Sequence, residues 1–128
     1  MAVTAFLIAS NGFSAEPKSW AGKYRNENLL NGKAGFQLLI EQTENAIQVS
    51  FDAAYKDGHG AAPDGGGDAN IKGANELEFK WEDSFSNSGT GTIKRAADAV
   101  IVSMRTTRVV EERCLAFYGD NMRLQRVK

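Results

Sequence analysis

LEFKWEDSFSNSGTGTIKRAADAVIVSMR, running from Leu77 to Arg105, is the stretch from which the fold is read. Leu77, Phe79 and Trp81 are apolar and alternate with Glu78, Lys80 and Glu82. After the polar break from Asp83 to Ser88, Gly89, Gly91 and Ile93 alternate with Thr90, Thr92 and Lys94. Arg95-Ala96-Ala97-Asp98 then links to Val100, Val102 and Met104. Successive side chains of a strand point to opposite faces, so a period of two describes strands with one buried and one wet face. Matching charges outside sets Glu82 against Thr90, Lys80 against Thr92 and Glu78 against Lys94. The same register sets Trp81 across from Gly91 and Phe79 across from Ile93, covering a strand glycine with an aromatic ring. Ile93 opposite Val100 and Gly91 opposite Val102 continue the inner face.

Strand signals recur on both sides of this block. Trp20-Ala21-Gly22-Lys23-Tyr24 spaces its aromatics with small and charged residues, and Asn28 to Lys33 reads as a turn around Asn31-Gly32. Phe36, Leu38 and Ile40 alternate toward a turn at Thr43-Glu44-Asn45, and Ile47, Val49, Phe51 and Ala53 alternate after it. Ala69 to Gly73 reads as a short strand. Arg113 to Tyr118 and Met122 to Arg126 read as a last hairpin around Gly119-Asp120-Asn121. The expectation is an all-β fold of about eight antiparallel strands in a meander. Closing it into a small barrel removes the exposed edges.

A chain of 128 residues with 42% hydrophobic and 24% charged residues suits one folded domain. No apolar run reaches the ~18 residues of a membrane span, so no stable membrane insertion is expected. The net charge of -1 argues against nucleic-acid binding. Residues 41–83 are acidic and residues 99–128 are basic in balance. The expected use of that asymmetry is pairing of an acidic sheet with a basic one across strands; the alternative is a partner-facing surface. Residues 1–15, with an uncharged apolar run from Ala2 to Ala9, read as a signal peptide lacking a basic start, cleaved after Ser14 or Ala15. The domain would then span 16–128 in a periplasmic or secreted protein.

Chemistry-bearing constellations are few. Cys114 is the only cysteine, which excludes an internal disulfide and suggests a buried thiol. His59 is the only histidine, so a His/Cys metal centre is excluded by composition. Asp57, Asp64 and Asp68 punctuate the Gly-rich stretch 57–68, a candidate for calcium oxygen ligands or simply a loop at the barrel mouth. Its spacing matches neither an EF-hand nor a phosphate loop. Neighbouring acids such as Glu82/Asp83 point to opposite faces of a strand and do not converge. No catalytic residue, metal or cofactor is expected.

Trp20-Ala-Gly-Lys-Tyr24 resembles the first strand of lipocalin- and avidin-type barrels, in which a Trp near the N-terminus plugs the barrel base. Phe79-Lys-Trp81-Glu-Asp83 with Asn87-Ser-Gly89-Thr-Gly91-Thr is similar to a hairpin of small exported β-barrel proteins without known activity. The resemblance implies a cup-shaped binding scaffold, with Arg126 packed over Trp20. The resulting expectation is an exported, non-catalytic protein binding a small apolar or amphipathic ligand inside the barrel. Trp81, Phe79, Gly91, Phe51, Met104 and Trp20 are its candidate ligand-binding residues. The alternative is a periplasmic inhibitor or immunity-type module that binds a protein partner through loops and charged faces.

Overall fold

The computed structural model describes residues 18–128, so the expected leader at 1–15 lies outside the described residues. Eight strands follow in order: β1 Gly22–Asn28, β2 Ala34–Gln42, β3 Ile47–Tyr55 and β4 Asp64–Gly73. Then come β5 Glu76–Asp83, β6 Ser88–Ala96, β7 Ala99–Arg108 and β8 Met122–Arg126. Each pairs antiparallel with the next, and β8 returns to β1 to close the barrel. The expected all-β, eight-stranded meander is the fold the chain adopts. Among the described residues no helix is long and apolar enough to cross a membrane.

Strand parity follows the sequence. In β3 Ile47, Val49, Phe51 and Ala53 are buried, and in β5 Leu77, Phe79 and Trp81, while the residues between them face water. Register departs from expectation by two residues. Trp81 pairs with Gly89 and Phe79 with Gly91, while Lys94 sits across from Glu76. On the next strand Ile93 faces Val102 and Gly91 faces Met104. The cause lies in the turns. Asp83 N–H donates to Asn87 O at 2.9 Å, pulling the first hairpin tight. The second closes on Ala97-Asp98 alone, with Ala96 paired to Ala99 and Ala97 at φ 57°. A slip of two keeps every side chain on its own face, so alternation cannot detect it.

Two further expectations are corrected. The stretch 57–68 is not all loop, because β4 begins at Asp64 and runs through Gly65-Gly66-Gly67. A Cβ on any of these three glycines would collide with the neighbouring strands' backbone, so their lack of one permits close pairing. The stretch from Arg113 to Tyr118 is not a strand. Glu112–Phe117 forms a 3₁₀ helix started by the Glu111 carboxylate, which accepts from Arg113 N–H at 3.1 Å. Cys114 and Phe117, three apart, share its buried face as three residues per turn require.

The core fills the barrel from end to end. Phe36 stacks on Phe51 (centroids 5.7 Å apart), and Phe51 meets Trp81 edge-on at 5.9 Å. Trp20 closes one end and the 3₁₀ helix, with Phe117 fully buried, lies at the other.

Candidate functional site

The six residues expected to bind a ligand are brought onto the inner wall. Trp20, Phe51, Phe79, Trp81 and Met104 are each 2–4% exposed and belong to one core cluster. A chamber large enough for a ligand would leave its wall accessible to a water-sized sphere, and these side chains are not. Trp81 lies over Gly89, and its Nε1–H donates to Thr90 O at 3.0 Å. Phe79 covers Gly91, where an added Cβ would stand 2.5 Å from the ring. The inner glycines therefore receive the aromatic rings.

Arg126 does not cover Trp20. Its guanidinium lies 5.7 Å from the Tyr24 ring centre and donates to Tyr24 Oη at 3.1 Å. Arg95 takes the expected place, 3.8 Å over the Trp20 ring, and donates to Lys18 O at 2.6 Å and Ser19 O at 3.3 Å. Cation–π attraction and these carbonyls fasten the plug.

The opposite end holds a buried polar network that the sequence reading did not identify. Asp83 is 6% exposed and Asn87 fully buried. Asp83 Oδ1 accepts from Phe85 N–H (2.8 Å) and Asn87 N–H (3.0 Å). Its Oδ2 accepts from Asn87 Nδ2–H (2.9 Å) and from Tyr118 O–H (2.7 Å). Asn87 Oδ1 accepts from Val110 N–H (2.7 Å) and Glu111 N–H (2.9 Å), and Nδ2 also donates to Glu111 O at 3.2 Å. One side chain thereby ties the β5–β6 turn to the segment leaving β7. Burial, and after it the bond to Asp83, pushes the Tyr118 phenol far above its ordinary range. Burial also raises the Cys114 thiol, with the Asp83 and Glu111 charges adding to it. The thiol is held protonated, a poor nucleophile.

The Gly-rich stretch divides its acids. Asp57 is bonded to His59, whose ring stacks on Tyr55 at 4.2 Å, and hydrogen bonds from His59 hold the Asp57 carboxyl below the usual carboxylate range. Asp68 accepts from Gln48 Nε2–H at 2.9 Å. Among the described residues no three His, Cys, Asp or Glu side chains converge as metal ligands.

The best-formed cavities open on the outer face. One of about 390 Å³ is lined by Glu78, Lys80, Thr90, Thr92 and Arg105 together with two of the candidate residues, Phe79 and Gly91. Another of about 770 Å³ lies over Gln37, Ser50, Asp52, Asp64 and Glu82. The expected pairing of an acidic with a basic sheet is corrected: among the described residues only Lys72–Glu78, at 2.8 Å, is an ion pair between strands. Asp52 instead sits directly across from Asp64, like against like. Fold and surface together define a small closed antiparallel barrel with a packed interior and a charged exterior. The chain matches no protein-family model, no curated protein and no solved structure.

Proposed function

We propose that the protein is an exported, non-catalytic binding module that engages a protein partner through its outer face and the loops at the 3₁₀-helix end. The observation that carries this reading is the filled interior. The inner-wall side chains that would have to contact a ligand pack on one another and on inner glycines. What the molecule leaves free is outside: like charges facing across β3 and β4, and two adjacent exposed valines, Val109 and Val110. Unneutralised surface charge raises encounter rates with a complementary partner and selects against wrong ones.

Native mass spectrometry of the protein purified from its own cells tests the reading. The expected result is a partner protein in fixed stoichiometry and no small-molecule adduct. A stoichiometric small apolar adduct would favour the interior-ligand reading instead. The export component is tested by the mature N-terminus, expected at residue 15 or 16; an intact Met1 would contradict it.

A further inference from the structure

β8 is the shortest strand, and it covers β7 only from Ala99 to Val102. Past that point Met104 N–H donates to Gly119 O at 2.9 Å. β7 continues to Arg108, held on its other side by β6. Backbone groups alternate sides along a strand, so the next groups facing the β8 side belong to Thr106. The irregularity opposite Ser88/Gly89 then shifts the phase. Because Val110 N–H turns back to Asn87, Val109 presents the following free groups. Among the described residues the Val109 amide, outside the strand, has no backbone partner, and the Thr106 amide makes no backbone bond outside the strand ladder. A barrel closed along its whole length has no edge. This one keeps a short edge where β8 falls short.

That edge is equipped. Val109 and Val110 are 50% and 55% exposed. Arg105 and Arg108 are exposed, and among the described residues neither joins an ion pair. The Asn87 bonds to Val110 and Glu111 fix the segment in place, so little order is lost when something binds it. We infer that the edge from Arg105 to Val110 is a β-strand addition site for an extended acidic segment of a partner protein, an inference resting on the protein-binding reading above. In this mode main-chain hydrogen bonds supply affinity, and side-chain complementarity supplies specificity. A carboxylate opposite each guanidinium and a β-branched residue opposite the valines would complete the ladder. A second copy of the chain fits less well, because pairing two such edges sets four arginines on one short ladder.

The test is selection of a random dodecapeptide library displayed on phage against the full chain. The winning synthetic peptide is then titrated into ¹⁵N-labelled protein. The expected peptides alternate Asp or Glu with Val, Ile or Thr, and shift and protect the amides of Thr106 and Val109. Binding should weaken about tenfold in R108E and vanish in T106P, which removes the N–H that strand alternation aims at the seam. Should T106P fail to fold, the surface double variant R105E/R108E stands in for it. No enriched peptide, shifts centred elsewhere, or binding indifferent to R105E/R108E would overturn the edge. A native partner protein that binds R105E/R108E as well as the unaltered chain would overturn the edge while leaving the protein-binding reading intact.

Discussion

Removing the Asn87 carboxamide would leave a buried contact of Asp83 and the partly buried Val110 and Glu111 N–H groups without partners. Stranded buried donors and a stranded carboxylate cost more than the net value of the bonds themselves. Asn87→Ala is therefore expected to lower stability by about 2–4 kcal/mol, read as a lower urea midpoint with unchanged slope. Tyr118 and Cys114 are expected to weaken the fold at alkaline pH. Both have folded-state values raised above ordinary ones of 10.0 and 9.0, so the folded protein binds more protons than the unfolded chain above that range. Their contribution is complete below pH 9 and is lost as pH rises further. The melting temperature should fall from about pH 9 upward, and less steeply in Tyr118→Phe. An equal slope in that variant would remove Tyr118 from the account.

Among the elements, the two-residue turn between β6 and β7 carries a correctable strain. Ala97 stands at φ 57°, where a Cβ is crowded and glycine is not. Ala97→Gly is expected to stabilise by about 0.5–1 kcal/mol, seen as a higher melting temperature. The same turn explains what the sequence could reveal. Alternation in Leu77–Trp81 and Ile47–Ala53 made strand faces readable, because burial writes itself directly into a period of two. The two-residue slip was not readable, since it preserves that period and depends on how tightly Asp83 and Ala97 close their turns. The 3₁₀ helix was hidden because Cys114-Leu115-Ala116-Phe117-Tyr118 is apolar throughout and fits either period. In the Asp83–Asn87–Tyr118 network only Asp83 and Asn87 are local to one turn, and nothing near them signals the bond to Tyr118, 35 residues from Asp83.

For the whole molecule, both ends of the barrel are closed by different means. Arg95 clamps Trp20 at one end, and Phe117 packs against Tyr55 at 5.1 Å at the other. Between them the aromatic rings occupy the space left by the inner glycines. On the exterior, Asp52 faces Asp64 and β7 outruns β8, the features on which the proposed protein-binding role rests. The most direct measurement is a titration of the native protein near neutral pH with 1-anilinonaphthalene-8-sulfonate, following both dye and tryptophan emission. A packed interior predicts no saturable binding and unchanged tryptophan emission. A saturable one-to-one site that quenches tryptophan would contradict it and return the function to the inside of the barrel.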